Sequence, residues 1–526
     1  MSITRTGLHT SAEGKVILKQ RVGLTAGTLK YKTDGDVQLN SPGDWTRILA
    51  NANLFLANPN DTKEKYYLQP FTGCIPRDYS TNLDPKTHGV RLRDAAFVDY
   101  VSDTTVYTSA VKTQLLAFAV DPLFDFSNRS RFCTTNGGLG DANPGFPISE
   151  WMLRLLFAYD YIKGSFTSPE RVTLDGWFLK AATYFNIILN AYYAPRFVDR
   201  INGNYTLTQY SIGAEADTVK NPRHTLYYGG PSAGFFADGY NNRMGTIAQF
   251  IGIAGIFLKN SELKTSAKRW FFENMKYGVY EGNDVLDFNR WSNTESEKGL
   301  NYVMGVVSVL SMLAFHFAFD GDTSLLYFST KEGALGTQSS PNKSLLGIIQ
   351  NTQKYLNGVI TRYATSTDPS PLSAPDKLKI QIDGYEPTLP NRNLIISDTW
   401  VAMANVLFND ATVKTNYLRT ASGTRPYPSS TAVRLNGANQ PYGMNAHVLP
   451  SALLQFGQME GVIDWLGTAP TPKTKQTITF PAIPVKTFGD SPFVISATAG
   501  SGLAVTFTVV SGPATIATNT VTLTGY

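Results

Sequence analysis

The sequence predicts a mainly α fold, an (α/α) toroid of antiparallel helices, followed by a small β module. Three observations carry that expectation. Apolar residues recur at helical spacing through residues 1–470, several of those stretches are apolar on more than one side, and after Lys475 the pattern changes to short alternating runs.

In chain order the helical spacing of i, i+3, i+4 and i+7 is met over Trp45 to Leu56, Val106 to Val120, Ile148 to Ile162 and Leu174 to Tyr192. It returns over Asn242 to Leu258, Leu300 to Phe317, Ser344 to Thr361 and Ser397 to Phe408. In NYVMGVVSVLSMLAFHFAF, residues 301–319, there is scarcely a polar face. A helix of that kind is covered by other helices on all sides. An inner ring of helices wrapped by an outer ring buries helices in this way, and periodicity alone also admits a helical solenoid. No repeat of fixed period is visible, which favours the toroid.

The segment TAPTPKTK, residues 468–475, has nothing to bury and reads as a linker. Beyond it, QTITFPAIPVKTFGDSPFVISATAGSGLAVTFTVVSGPATIATNTVTLTGY alternates strand-like runs with turn residues. Residues 471–526 are therefore expected to form a linker and a β module. The wording resembles one repeat of the immunoglobulin-like modules of secreted bacterial proteins. It provides fewer strands than the roughly seven of a complete sandwich, so an incomplete module acting as a spacer is expected.

Of the 526 residues, 42% are hydrophobic and 17% charged, enough for a large core. The net charge of +5 is mild and no run of basic residues occurs, which argues against nucleic acid as a partner and leaves an acidic ligand compatible. Cys74 and Cys133 lack the spacing of a zinc site; a disulfide between them and two free thiols are both open readings. No apolar run reaches the roughly 20 residues of a membrane span, so no membrane insertion is expected. The opening MSITRTGLHTSAEGK has no apolar leader core. Together with the β module, this leads us to expect a secreted or cell-surface protein whose leader lies outside this sequence, and a monomer.

The most informative stretch is HTLYYGGPSAGFFADGYNNRMGTIAQFIGIAGIFLKN, residues 224–260. A glycine-rich aromatic loop ends at Tyr240, Asn241 and Asn242, and a helix follows. An Asn there serves as an N-cap. Arg243 in the first turn sits against the positive end of the helix dipole, an arrangement that favours a bound anion. Two amides, a guanidinium and a helix start together form a carboxylate receptor. Tyr227, Tyr228, Phe235, Phe236 and Tyr240 either stack on sugar faces or pack the loop.

A second stretch, EGNDVLDFNRWSNTESEKGLNYVMG, residues 281–305, places Asn289 and Arg290 ahead of a long helix with Tyr302 at its start. Tyr302 is either a packed tyrosine or a proton-transfer residue. Among the five histidines, His224 sits in the glycine-rich aromatic neighbourhood, whereas His316 lies within an apolar helix and reads as structural.

The run NNRMGTIAQFIGIAGIFLKN, followed by DFNRWSNTESEKGLNYVMGVVSVLSMLA, resembles the alginate lyase family of helical-toroid polysaccharide lyases. GLHTSAEGKVILKQRV, DWTRILANANLFLANP and ISEWMLRLLFAYDYI are similar to that family as well, so the likeness spans most of residues 7–320. It implies an enzyme cleaving a uronic-acid polysaccharide, alginate or a glucuronate polymer, by β-elimination. Asn241 and Asn242 match the family's asparagine at the first helix start, with Arg243 where histidine is often found. Arg290 and Tyr302 match its arginine and tyrosine, at a longer spacing.

In that reading Asn242 with Arg243, or Arg290, neutralises the uronate carboxylate, and Tyr302 or His224 takes the C5 proton. Asn241, Tyr240, Tyr227, Tyr228 and Asn289 contact the substrate. The elimination calls for no cofactor and no metal, and the expected partner is an anionic polysaccharide. One rival is a glycoside hydrolase on the same fold, using carboxylates among Asp238, Glu281, Asp284 and Asp287. Another is a non-catalytic carbohydrate-binding protein.

Overall fold

The computed structural model describes residues 3–26, 44–60, 85–127, 142–191, 240–279, 281–283, 285, 298–331, 342–356, 398–408, 410–413, 448–456, 478–500, 502 and 504–525. The chain forms two compact units, Met1–Gly467 and Thr468–Tyr526. The first is mainly helical. Its helices are α1 (Ala12–Arg21), α2 (Asp44–Ala57), α3 (Pro85–Ser102), α4 (Thr108–Val120), α5 (Ala142–Ile162) and α6 (Ser168–Ala191). They continue with α7 (Asn242–Phe257), α8 (Ser261–Tyr277), α9 (Lys298–Phe319), α10 (Leu345–Leu356), α11 (Asp398–Leu407) and α12 (Ala452–Phe456). A two-stranded antiparallel hairpin, β1 (Ser329–Thr330) with β2 (Lys343–Ser344), lies between α9 and α10.

Each of the eight stretches with helical spacing holds a helix among the described residues, most with shifted ends, and residues 192, 357–361 and 397 of those stretches lie outside the described residues. The expected start at Leu174 moves back to Ser168 because Thr167 and Glu170 form a reciprocal cap. The Thr167 N–H donates to Glu170 Oε2 at 2.7 Å and the Glu170 N–H to Thr167 Oγ1 at 3.4 Å. Helices α1, α3, α8 and α12 lie outside those stretches. In α3 the apolar period is interrupted by charges that are nevertheless buried. Arg93 donates through Nε (2.9 Å) and Nη2 (2.6 Å) to Asp94, which also accepts from Asn51 of α2 at 2.7 Å. The Arg93 and Asp94 side chains are both fully buried, so pairing replaces their lost hydration.

The helix contacts follow a pattern. Helix α3 packs on α5, α5 on α7, α7 on α9, α9 on α11, α11 on α12, α12 on α1 and α1 on α3. The others lie against members of this series: α2 on α3, α4 and α6 on α5, α8 on α7, and α10 on α9. The link between α12 and α1 is tied by Arg21, whose Nη1 donates to the Leu454 carbonyl at 2.6 Å. Helix α9 is buried along most of its length, as its lack of a polar face requires.

Helices α7 and α8 are joined by Leu258, Lys259 and Asn260. Lys259 turns the chain at φ 55°, and Asn260 caps α8 by accepting from the Leu263 N–H at 3.0 Å. Glycines on α7 allow close approach on two sides. A β-carbon at Gly245 would lie 3.0 Å from Trp270 and 3.1 Å from Val309, and one at Gly252 2.9 Å from both Ala267 and Leu313. As numbering rises on α7 it falls on α8 and rises on α9. Helix α8 therefore runs antiparallel to α7, and α9 runs parallel to it.

The second unit holds two antiparallel sheets, β3 (Ile478–Thr479) with β5 (Thr498–Ala499), and β4 (Phe493–Val494), β7 (Thr520–Leu523) and β6 (Ala514–Ala517) in the order β4-β7-β6. In register, Phe493 faces Val521 and Val521 faces Ile516, so one face of the larger sheet is apolar. None of the described residues from 478 onward is buried. Among the described residues, no helix is long and apolar enough to cross a membrane.

Candidate functional site

The start of α7 is built from the residues that the sequence singled out. Asn241 is the N-cap: its backbone is extended, and its Oδ1 accepts from the N–H groups of Arg243 (2.9 Å) and Met244 (3.0 Å). Its carbonyl accepts from the Gly245 N–H at 2.9 Å. Asn242 is buried as the first helical residue, and its carbonyl accepts from the Thr246 hydroxyl at 3.0 Å. Arg243 in the same turn is partly exposed.

Tyr240 takes the packing role of the two open to it. It is 1% exposed, its hydroxyl donates to Glu273 Oε2 at 2.9 Å, and Asn274 of α8 donates to its carbonyl at 3.2 Å. The ring presents no face to a sugar, and Tyr240 instead fixes the helix start against α8. Lys343, buried beside the end of α8, donates to the carbonyls of Lys276 (2.6 Å) and Val279 (3.1 Å). A cation at a helix C-terminus answers the dipole's negative end.

Helix α9 begins at Lys298 and not at Leu300, so Tyr302 is its fifth residue. Because α7 and α9 are parallel, with Gly245 beside Val309, their first turns lie at the same end of the pair. At about 1.5 Å per residue, position 302 stands roughly 6 Å farther out along the axis than position 242. The backbone thus brings the Asn241–Arg243 turn and the Tyr302 turn to one end. His224, Tyr227, Tyr228, Phe235, Phe236, Asn289 and Arg290 lie outside the described residues, as do Cys74, Cys133, Asp238, Asp284 and Asp287.

A second polar cluster, in the core, was invisible to spacing rules. His316 Nδ1 lies 2.8 Å from the Met312 carbonyl and its Nε2 3.4 Å from Nδ1 of His9, whose Nε2 lies 2.7 Å from the Tyr161 hydroxyl. Burial lowers the His316 pKa to about 4, against the opposing pull of the Met312 carbonyl. His9 is held well below the usual imidazole range by burial first, then by His316 and Arg93. Nearby, burial raises Asp160 to about 6, although the Leu8 N–H donates to its Oδ2 at 2.7 Å and Lys163 pulls the other way. The expectation that His316 is structural agrees with this setting. His9 carries no periodic signal, since it sits in a loop that only the fold inserts into the core.

Among the described residues there is no group of three or more His, Cys, Asp or Glu placed to hold a metal ion. A surface cleft of about 390 Å³ lies beside Thr108, Lys112 and Glu170. Its lysine already donates to the Ser165 carbonyl at 2.8 Å and pairs with Glu170 at 3.1 Å. No protein-family model matches the chain, and no curated protein or solved structure matches it.

Proposed function

We propose that the first unit is an (α/α) toroid and that the chain is a polysaccharide lyase acting on a uronic-acid polymer, alginate or a glucuronate polymer. The toroid reading is supported by the series of helix contacts that returns from α11 through α12 and α1 to α3. The lyase reading rests on one observation above the rest. The turn holding Arg243 and the turn holding Tyr302 begin parallel, adjacent helices at the same end.

The chemistry follows from what a uronate needs. The hydrogen on C5 is weakly acidic while the neighbouring carboxylate is ionised. Placing that carboxylate against Arg243 and the positive end of α7, with Arg290 in support, lets negative charge move into it as the C5–H bond breaks. Tyr302, or His224, accepts the proton, the electron pair forms the C4–C5 double bond, and the C4–O4 bond breaks. The departing O4 takes a proton from the same tyrosine when both atoms share a face of the ring. Asn241 and Asn242, both buried, set the position of Arg243 by fixing the helix start. The β module serves as a spacer.

The test is to incubate the full chain with a panel of acidic polysaccharides and follow the ultraviolet absorbance of the unsaturated uronate. A rise with one polymer class supports the reading and names the substrate. Chain shortening without that absorbance assigns a hydrolase, and tight binding without shortening assigns a binding protein.

A further inference from the structure

The loop ahead of α1 is folded on itself and inserted into the helical unit. The Ala12 N–H donates to the Thr4 carbonyl and the Thr6 N–H to the Thr10 carbonyl, each at 2.9 Å. At its tip Leu8 is tied to Asp160 of α5, and a β-carbon on Gly7 would stand only 2.4 Å from that carboxylate, so a larger residue would have to displace it. His9 follows, 1% exposed, with its ring edge-on to Phe157 of α5 and to Phe456 of α12.

With both rings neutral, the contacts of His9 admit one arrangement of protons. The Met312 carbonyl only accepts, so His316 Nδ1 carries hydrogen and its Nε2 carries the lone pair. That lone pair receives the His9 Nδ1–H, which leaves His9 Nε2 to accept from the Tyr161 hydroxyl. Every contact is satisfied with both rings neutral. A first added proton keeps the links only if His9 changes tautomer and the Tyr161 hydroxyl turns to accept, and it puts a cation among buried rings beside Arg93; a second sets N–H against N–H between the two rings.

We propose that residues 4–11 form an acid-released clasp, in which protonation of the His9–His316 pair detaches the loop from α5 and α9. The groups facing the pair, among the described residues, leave such a charge uncompensated. Helix α3 brings Arg93, already paired with Asp94, and helix α5 brings Tyr161, which has Tyr100 and Asp160 beside it. From the loop itself Arg5 lies over Phe319 of α9, and α12 brings Phe456. Both imidazoles stay neutral while the loop is seated and take up protons near their usual pKa once it leaves. Opening is therefore favoured as pH falls through the interval between about 6.5 and about 4 for His316. Asp160 acts in the opposite sense, because its raised pKa favours the seated loop in acid. Two imidazoles against one carboxyl leave a net release.

Hydrogen exchange of the full chain at about pH 7.5 and about pH 4.5, corrected for the intrinsic rate, tests this. Protection of residues 4–12 is expected to fall about tenfold or more, while peptides from α5 and α7 keep theirs. The double variant His9→Gln, His316→Gln, which keeps hydrogen-bonding groups but cannot ionise, is expected to lose the response. Asp160→Asn is expected to enlarge it. Unchanged protection in the wild type, an equal fall in α5 and α7, or a smaller response in Asp160→Asn overturns the clasp. If the double variant does not fold, the wild type and Asp160→Asn still decide.

Discussion

Gly252 of α7 faces Leu313 of α9 so closely that a β-carbon at position 252 would stand 2.9 Å from the leucine Cδ2. The Ala267 Cβ of α8 is equally near, so a methyl has no direction in which to escape. Gly252→Ala is expected to lower stability by about 1–3 kcal/mol, despite alanine's better helix propensity. Gly176, within α6, has nothing within 4 Å of its would-be β-carbon. Gly176→Ala is expected to raise stability by about 0.5–1 kcal/mol. Urea unfolding of the two variants reads both signs, and a stabilised Gly252→Ala would contradict the parallel packing of α7 and α9.

The buried pair in α3 sets a second expectation. Asp94→Ala removes the carboxylate beside a fully buried guanidinium and leaves Asn51 without its acceptor. A loss of about 3–5 kcal/mol is expected in the same unfolding experiment. A loss below about 1 kcal/mol would mean that water reaches Arg93.

Asp160 gives a pH-dependent prediction whose sign follows from its environment. Burial raises its pKa from 3.8 to about 6, so ionising it opposes folding above that value and the penalty disappears as pH falls below 3.8. Its full size is about 3 kcal/mol, at roughly 1.4 kcal/mol per pKa unit. Asp160→Asn keeps an acceptor for the Leu8 N–H and removes the charge. The variant is expected to be more stable than wild type near pH 8 and equal to it near pH 4. Denaturant midpoints across that range check it, and a gap that widens toward acid contradicts it.

For the proposed lyase, Arg243→Ala is expected to lower turnover by about 10²–10³-fold, the usual cost of one oxyanion-stabilising donor. Tyr302→Phe is expected to abolish turnover with circular dichroism and thermal unfolding unchanged. Near-normal activity in Tyr302→Phe moves proton transfer to His224.

Much of the helical unit was legible because burial of a helix leaves a period in the sequence. The strip from Asn242 to Leu258 reads as a helix start and proves to be one, Asn241 capping it through Oδ1. Helix α3 escaped because Arg93 and Asp94 occupy core positions, and a buried charge is indistinguishable from a solvated one until its partner is seen. Helix α8, SELKTSAKRWFFENMKY, was hidden by its charges, two of which reach Asp320 and Asp322 at the far end of α9. At the candidate site, cap chemistry was readable from Asn241 and Arg243. The burial of Tyr240 was not, because its partner Glu273 comes from the next helix.

The masses of the products from the polymer that the chain shortens bear most directly on the proposed chemistry. Elimination yields oligosaccharides whose new non-reducing end is lighter by one water than a hydrolysis product, and Tyr302→Phe should yield none. Products that all carry full hydrolytic mass would contradict the reading of Arg243 and Tyr302 as an eliminating pair.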